Sequence, residues 1–284
     1  MRSLAIACCI LTLACGDDDN AGSDEGANPD QTADLRPVTL AFAAVVGDDV
    51  FACGQTYANL GTGGSSWTAR DLRFYVHDVE LLAGDRAIPF TLEDDGRWQN
   101  GQVALLDFED GCGEMGNPDL NDALRGFVPA GSPTEYSGVR FRIGVPEALN
   151  HANASTAGAP LNLTAMFWNW NGGYKFMRIE GPSDVFDAWR LHLGSTMCEG
   201  DMMGNASCAT SNRPAIELSG SVPSQAITLD LAALWQDASF TNTMDTPPGC
   251  MSAPTDGDCA PIFSNLGLAF SGGPSQNQRV FTLR

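Results

Sequence analysis

The sequence predicts an all-β protein, a β-sandwich with long loops cross-linked by disulfide bonds. Three observations lead to this fold class. Short segments that alternate apolar and polar residues recur along the chain, as in half-buried strands. The 284 residues include 31 glycines and 16 prolines, so turns are frequent. The cysteines that remain after the expected export of the protein are even in number, which favours a disulfide framework.

The alternating pattern begins with Val38, Leu40 and Phe42, which fall on one face of a strand. Further strands are predicted at residues 72–82, 87–92, 102–108, 139–145, 161–168, 174–179, 188–193, 215–218, 226–231, 262–270 and 279–283. Two segments, residues 120–127 and 229–236, fit a helix instead. About a dozen short strands separated by Gly, Pro, Asn and Asp turns are typical of a sandwich.

The N-terminus has the features of an export signal. A basic residue precedes the apolar run LAIACCILTLA at residues 4–14, which is too short to span a bilayer as a helix. The following Ala-Cys-Gly resembles the cleavage site of bacterial lipoproteins, so we expect residues 1–14 to be a signal peptide and Cys15 to carry a lipid. Plain secretion is the alternative, because Thr12 stands where leucine is usual. Either route leads to the bacterial cell envelope, the periplasm or, through a lipid anchor, the outer membrane.

An acidic segment follows the signal. Residues 15–36 hold seven acidic residues and no basic residue before Arg36. Such a segment repels itself and has little apolar surface to bury, so we expect a solvated tether. Residues 37–284 contain no linker and no repeat, and they are therefore interpreted as one domain.

Six cysteines belong to this domain. Cys8 and Cys9 are expected to be removed with the signal peptide, and Cys15 is the expected lipidation site. Six cysteines allow 15 pairings, and in an oxidising compartment three disulfides are the default. Proximity in the sequence favours the pairs Cys198 with Cys208 and Cys250 with Cys259, which leaves Cys53 with Cys112. A zinc or iron–sulfur site is disfavoured, since the closely spaced CxxC pairs of such sites do not occur.

The charge excludes some classes of partner. The formal net charge is −20, from 35 acidic and 15 basic residues, and Lys175 is the only lysine. Nucleic acid is therefore not expected to bind, whereas a cation or a basic protein surface is favoured. The sequence also lacks the G-x-S-x-G, H-E-x-x-H and P-loop motifs of common enzymes.

Three histidines are candidate metal ligands. In the predicted strands, His77 and His192 point away from the apolar faces, and His151 lies in a loop. Two or three imidazoles converging on one ion would suit copper or zinc. The alternative interpretation is that all three are separate surface histidines.

An aromatic segment, residues 166–176, carries Trp168, Trp170 and a double glycine. Glycines permit close approach of another backbone or of a ligand, so this segment is a candidate binding or redox site. Packing in the core is the alternative explanation for these side chains.

Several distinctive segments occur in order along the chain: RFYVHDV at 73–79, ALLDF at 104–108, GVP at 144–146, LNH at 149–151, PLN at 160–162, MFWNW at 166–170, GYKF at 173–176 and HLGST at 192–196. Taken together, these motifs resemble those of the MbnP family, the methanobactin-associated copper-binding proteins. The resemblance extends over residues 38–283 and includes the spacing of the last four cysteines.

The resemblance implies a copper-binding protein that is not itself a turnover enzyme. Its expected partner is an MbnH-type, dihaem cytochrome c peroxidase-like protein related to MauG, which oxidises a tryptophan to kynurenine. By matched motif, the implied copper ligands are His77, His151 and His192. The candidate tryptophans are Trp168 and Trp170, in the aromatic motif, and Trp189, near His192 in sequence.

Two other functions fit the residues. A lipid-anchored module for glycan or peptide would use the exposed rings of Trp67, Trp98, Trp168 and Trp170 as a stacking platform. A metal-dependent oxidase or hydrolase would hold a catalytic ion at His77 or His192 with an open coordination position.

Overall fold

Two β-sheets form the framework of the protein. The computed structural model describes residues 34–112, 116–200, 206–241 and 246–284. The predicted signal peptide, Cys15 and nearly all of the tether lie outside the described residues. The first strand begins at Leu35, two residues before the domain boundary expected from the sequence.

The first sheet has six strands. Its order is β20 (Phe281–Leu283), β18 (Ile227–Asp230), β1 (Leu35–Val46), β9 (Ala123–Pro129) and β7 (Thr91–Leu92), with β2 (Asp49–Val50) also paired to β1. The pairing of β1 with β18 is parallel, and the other pairs are antiparallel.

The second sheet has eight strands. Its order is β17 (Ala215–Val222), β10 (Tyr136–Ile143), β5 (Asp71–Ala83), β13 (Met177–Gly181), β14 (Trp189–Leu193) and β19 (Gly249–Cys250), with β6 (Arg86–Pro89) and β8 (Ala104–Asp107) also paired to β5. Only the pairing of β14 with β19 is parallel among the described strands of this sheet.

Three hairpins and two short helices complete the described elements. The hairpins are β3 (Thr56–Leu60) with β4 (Ser65–Thr68), β11 (Phe167–Asn169) with β12 (Gly173–Tyr174), and β15 (Thr196–Gly200) with β16 (Ala206–Thr210). The helices are α1 (Leu231–Leu234) and α2 (Cys259–Asn265), and single 3₁₀ turns occur at Glu147–Leu149 and Thr164–Met166. No described helix is long and apolar enough to cross a membrane.

Aromatic side chains join the two sheets face to face. Phe42 of β1 lies 6.2 Å from Phe74 and 5.7 Å from Phe141 between ring centroids, and both partners belong to the second sheet. Phe281 of β20 contacts the same two rings at 5.9 and 5.7 Å. This interface is the core of a sandwich, which confirms the all-β fold class.

The second sheet is also covered on its outer side. Along β5, every residue from Asp71 to His77 is buried, so both faces of the strand are shielded from water. The ring of Tyr75 contacts Tyr174 at 6.0 Å, and its hydroxyl donates to the carbonyl of Pro160. Residues 146–176 therefore form an outer loop layer over this face, and the candidate site lies beneath it.

Three segments differ from the sequence prediction. Residues 120–127, predicted as a helix, contain most of β9, because Leu124 pairs in register with Leu40 of β1. Residues 262–270, predicted as a strand, overlap α2, in which Cys259, Ile262 and Phe263 bury one helix face. Residues 161–168, also predicted as a strand, form turns before β11 begins.

The other predicted helix is present but short. Within residues 229–236, α1 spans Leu231–Leu234, and the Asp230 side chain caps it by accepting from the backbone N–H groups of Ala232 and Ala233.

The six cysteines form three disulfides, with the partners that sequence proximity favours. They are Cys53–Cys112, Cys198–Cys208 and Cys250–Cys259. The first closes a separation of 59 residues, whereas the other two close separations of 10 and 9. Disulfides of this kind are typical of proteins that work in an oxidising compartment.

Candidate metal centre

His192 lies in the middle of the second sheet. In the register between β13 and β14, Arg178 is opposite His192 and Ile179 is opposite Leu191. Residues directly opposite each other share a face, so His192 and Arg178 project toward the outer loop layer while Leu191 projects into the core. The side chain is nonetheless buried, with 5% of the residue exposed.

A chain of ion pairs fixes the orientation of this imidazole. His192 Nε2 donates to Glu180 Oε1. Arg178 holds the same carboxylate in a bidentate pair, with both N–O distances at 2.8 Å. Arg178 Nη1 also lies 3.0 Å from Asp71 Oδ2, and Asp71 binds Arg73. The imidazole is thus positioned by a buried network that extends across three strands.

The network also sets the protonation state of the site. Burial lowers the pKa of His192 below its usual value, although the hydrogen bond to Glu180 opposes this effect. Burial alone would raise the pKa of Glu180, but the hydrogen bonds from His192 and Arg178 outweigh it and hold the pKa well below its usual range. A neutral imidazole beside an ionised carboxylate follows at neutral pH.

The second ring nitrogen of His192 is free. Because Nε2 carries the proton donated to Glu180, Nδ1 carries a lone pair. This atom is buried and has no hydrogen-bond partner among the described residues. An orphaned acceptor of this kind is costly unless something occupies it. A histidine that donates one N–H to a carboxylate and offers its other nitrogen is the common arrangement of a metal ligand.

Trp168 lies beside this imidazole. The two ring centroids are 6.5 Å apart. The close approach depends on Gly194, where a Cβ atom would lie only 2.5 Å from Trp168 Cζ3. Trp168 is half-buried, so the indole reaches both the buried histidine and the surface.

Trp168 also lines a cleft of about 340 Å³. The other lining residues include Met197, Met251 and Cys198. Ser252, the residue after Met251, donates from its hydroxyl to the backbone carbonyl of His192, which ties this loop to β14. The cleft therefore brings thioether sulfurs to the surface next to Trp168.

His77 is held differently. Its Nδ1 donates to the carbonyl of Gly144 at 2.8 Å, which leaves the Nε2 lone pair 3.7 Å from Asp78 Oδ2. Burial lowers the pKa of His77, and 2% of the residue is exposed. This imidazole is also neutral at neutral pH, but the guanidinium of Arg142 lies 3.7 Å from the same Asp78 oxygen. That cation disfavours a metal ion here.

His151 uses both ring nitrogens. Its Nδ1 donates to the carbonyl of Trp170 at 2.8 Å, and its Nε2 accepts from the Asn150 amide at 3.1 Å. The same Nε2 lies 3.3 Å from Cys208 Sγ. His151 therefore belongs to the neighbourhood of the Cys198–Cys208 disulfide.

The three candidate ligands do not form one cluster. Within the described ranges, no group of three ligand atoms lying within 4.8 Å of one another contains more than one histidine. The sheet register gives the separation of His77 and His192. Arg178 is opposite His192 on one side and opposite Arg73 on the other, and Arg73 lies four residues before His77. Two strand spacings and four residues of rise separate the two Cα atoms by about 16 Å.

The alternative of three surface histidines is wrong for His77 and His192, since both are buried. Their faces are opposite the sandwich core, as expected from the alternation, but other parts of the chain cover them, including Trp168 beside His192 and Gly144 beside His77. The sequence pattern could identify the face but not its covering, because the covering segments are distant along the chain.

The other tryptophans occupy different environments. Trp170 is 45% exposed, whereas Trp189 is buried against Trp235 and Phe240 on the core side of β14. The stacking platform considered from the sequence cannot form as described, because Trp67 is fully buried. Trp98 is also partly covered, since the Arg97 guanidinium lies 4.7 Å from its ring centroid.

Sequence reasoning missed Glu180, Arg178 and Met251. A signal for the first two is present, because Arg178-Ile179-Glu180 and Arg190-Leu191-His192 both alternate charged and apolar residues. Antiparallel pairing of two such segments puts opposite charges on one face. Met251 follows a short strand and carries no pattern that distinguishes it.

The double glycine of the aromatic segment has a structural role. Gly173 adopts a φ of +74°, and a Cβ atom there would lie 2.7 Å from the backbone oxygen of Asn150. Asn150 Oδ1 in turn accepts from the backbone N–H of Tyr174. The glycine thus admits another backbone, and this contact ties the two ends of the outer loop layer together.

The donor set near His192 fits a soft or borderline transition metal. It offers a neutral imidazole nitrogen, with thioether sulfurs in the adjoining cleft, and these ligand types suit copper. The indole of Trp168 is a poor ligand in its unmodified form, so the site gains donors if that ring is converted to a form with an amine and a ketone.

Comparisons with known proteins bear on the family and the fold. A sequence model of the MbnP family matches residues 35–252. The solved structure of MbnP from Methylosinus trichosporium is similar over 88% of this chain and 98% of that chain, with 28% sequence identity and a TM-score of 0.76. The search of curated proteins gave no match.

Proposed function

The chain belongs to the MbnP family, and from this premise we propose that it is an exported copper-binding protein whose copper site centres on His192 and Trp168. Its family is associated with methanobactin copper biology and is not a known enzyme class. We propose further that the chain is the protein substrate of a dihaem, MauG-type peroxidase-like partner, which oxidises Trp168 to kynurenine.

The free Nδ1 of His192 is the observation that carries the proposal. Its lone pair is buried without a partner in the described part of the chain, and Glu180 holds the opposite N–H. A copper ion would satisfy this acceptor, and the carboxylate would fix the ring in the tautomer that binds metal. The lowered pKa of His192 supports the same role, because a proton does not compete with the metal at neutral pH.

Oxidation of Trp168 would complete the donor set. In net terms the indole loses one ring carbon as formate and gains a ketone oxygen, which leaves an aromatic amine and a ketone in its place. Trp168 is favoured over Trp189 because Trp168 is half-buried and lies beside His192, whereas Trp189 is enclosed in the core. Trp170 is exposed, but its neighbours are His151 and Gly200 rather than His192.

The surface suits encounter with a haem partner. A half-buried indole is within reach of electron transfer at a protein interface, and a net charge of −20 attracts a basic partner surface. No nucleic acid is expected among the partners, for the same electrostatic reason.

Three disulfides and the family relationship indicate a protein outside the cytoplasm. Within that compartment we propose a lipid anchor at Cys15, which would attach the domain to the cell envelope through the acidic tether. The alternative of a glycan or peptide module gains no support from the tryptophans, since Trp67 is buried in the core.

A direct experiment is copper titration of the mature chain, produced with and without its dihaem partner, against a competing Cu(I) chelator. We expect tighter binding for the chain produced with the partner, together with the mass gain of one carbon exchanged for one oxygen. Variant His192→Gln is the matched test, because glutamine can still donate to Glu180 but lacks the Nδ1 lone pair. Unchanged copper affinity in this variant would contradict the site.

A further inference from the structure

The Cys198–Cys208 disulfide lies on an exposed hairpin. The two cysteines are directly opposite each other in β15 and β16, and both are half-buried. In the described part of the chain, β15 and β16 pair only with each other. By contrast, Cys250 and Cys259 are fully buried. A reductant can therefore reach the hairpin disulfide without opening the sandwich, whereas the Cys250–Cys259 bond is shielded.

A metal-binding nitrogen faces this disulfide. His151 Nε2 lies 3.3 Å from Cys208 Sγ. Its Nδ1 donates to the Trp170 carbonyl, so Nε2 carries the lone pair, which accepts from the Asn150 amide at 3.1 Å and would exchange this hydrogen bond for a metal ion. Together, His151 Nε2 and the sulfurs of Cys198 and Cys208 lie within 4.8 Å of one another. One imidazole nitrogen and two sulfurs at this spacing could serve as three ligands of one ion. While the sulfurs are bonded to each other, they cannot bind a metal as thiolates.

The surrounding surface is rich in soft donors. Cys198 lines the same cleft as Met197 and Met251. Met197 is 60% exposed, and its sulfur accepts a weak hydrogen bond from Thr210. Solvent-exposed methionine beside a sulfur ligand gives a soft ion an approach to the site.

We propose that the Cys198–Cys208 disulfide masks a second, redox-controlled site for Cu(I), with Cys198, Cys208 and His151 as ligands. A dithiol reductant breaks the S–S bond by thiol–disulfide exchange, supplies two electrons and two protons, and is itself oxidised to a disulfide. The two new thiols then bind Cu(I) as thiolates and release their two protons to solvent. The site is separate from His192 and does not rest on the proposed function.

Cu(I) is the expected ion for two reasons. Thiolate and thioether ligands are soft and favour Cu(I) over hard cations. The reductant that opens the disulfide also maintains copper in the monovalent state. Metal–sulfur and metal–nitrogen bonds of about 2.3 and 2.0 Å fit within the present spacing once the two sulfurs separate.

The first test is reduction of the intact mature chain by dithiothreitol under native conditions, followed by alkylation and peptide mapping. We expect Cys198 and Cys208 to be alkylated while Cys250 and Cys259 stay protected. Absence of alkylation at Cys198 and Cys208 would overturn the proposal, because the site could then not open in the folded protein.

The second test measures how many Cu(I) ions each chain binds before and after reduction. After removal of the reductant without air, the reduced chain should bind one more Cu(I) than the oxidised chain, measured against a colorimetric chelator. The double variant Cys198→Ser/Cys208→Ser should lose this additional ion, whereas Cys53→Ser/Cys112→Ser, which removes the other half-buried disulfide, should retain it. An additional ion that persists in the first double variant would contradict the assignment.

Single variants separate this site from the one at His192. His151→Ala keeps both thiols and should weaken the reduction-dependent ion at least tenfold, with thiol alkylation unchanged. His192→Gln should leave the reduction-dependent ion in place even if the site of the proposed function is lost. Equal Cu(I) affinity in reduced wild type and His151→Ala would remove the imidazole from the ligand set and overturn the three-ligand site.

Discussion

The indole of Trp168 and the imidazole of His192 lie side by side, with their ring centroids 6.5 Å apart. They come from different elements, β11 and β14, and Gly194 is the residue that lets them approach. Since the imidazole offers a free nitrogen toward its surroundings, any chemical change of the indole alters the environment of a potential metal ligand.

Substitution of Trp168 by phenylalanine should remove the oxidative modification. Phenylalanine keeps an aromatic ring beneath Gly194 but has no pyrrole ring to cleave. Intact-mass analysis of the chain produced with its dihaem partner should show the carbon-for-oxygen gain in wild type and in Trp170→Phe, and not in Trp168→Phe. A mass gain that persists in Trp168→Phe and disappears in Trp170→Phe would place the modification at the other tryptophan.

Copper affinity should depend on the ion-pair network as well as on the ligand. We expect His192→Gln to weaken copper binding by about 100-fold or more, and Glu180→Gln by about 10-fold through loss of the orienting carboxylate. His77→Asn is the control, because asparagine can still donate to the Gly144 carbonyl and the sheet register puts His77 about 16 Å from His192. Chelator competition measures all three. A loss in His77→Asn equal to that in His192→Gln would require a different site.

The free energy of unfolding should depend on pH through the buried carboxyl group of Asp107. Burial raises the pKa of this group to about 7. Because the folded state holds the proton more tightly than the unfolded state, this contribution to stability is complete below pH ~4 and is lost as pH rises toward 7. Urea unfolding from pH 4 to 8 should show this loss in wild type, and Asp107→Asn should flatten it. An unchanged pH profile in the variant would assign the effect to another group.

The disulfides should differ in their contribution to stability. The Cys53–Cys112 bond closes a separation of 59 residues, so its replacement by alanines should lower the free energy of unfolding by about 4 kcal/mol in the loop-entropy account. The Cys250–Cys259 bond closes a separation of 9, which corresponds to about 3 kcal/mol. Denaturant unfolding of the two double variants measures both values, and a reversed order would show that native-state contacts outweigh loop entropy.

Replacement of Cys15 by serine should release the protein from the membrane fraction. The prediction follows from the lipoprotein-like sequence around Cys15. Fractionation of cells that express wild type and Cys15→Ser provides the measurement, and globomycin-type inhibition of lipoprotein processing supplies a control. A variant that stays in the membrane fraction would exclude lipidation as the anchor.

The strands and their buried faces could be predicted from the sequence, because the alternation of apolar and polar residues is a local pattern. The alternation around His192 correctly placed Leu191 and Leu193 on the core face. Residues 262–270 were misread because a short apolar run fits both a strand and a buried helix, and the helical spacing of Cys259, Ile262 and Phe263 becomes decisive only once the core is known.

Features of the site that depend on contacts between distant segments could not be predicted from the sequence. His77 and His192 are buried although they face away from the sandwich core, and their neighbours Gly144 and Trp168 come from distant segments. The bond from His192 to Glu180 depends on the register of β13 against β14, and alternation alone does not specify register. Composition and spacing therefore predicted which residues could serve as ligands but not how the fold groups them.

The contact between Arg178 and Asp71 bears on the timing of maturation. Asp71 lies on β5, far earlier in the chain than the hairpin of β13 and β14, and Arg178 links it to the carboxylate that orients His192. Complete assembly of the network around His192 therefore requires β13 to pair with β5 as well as with β14. Any enzyme that recognises Trp168 in this setting would act on a chain that has already folded.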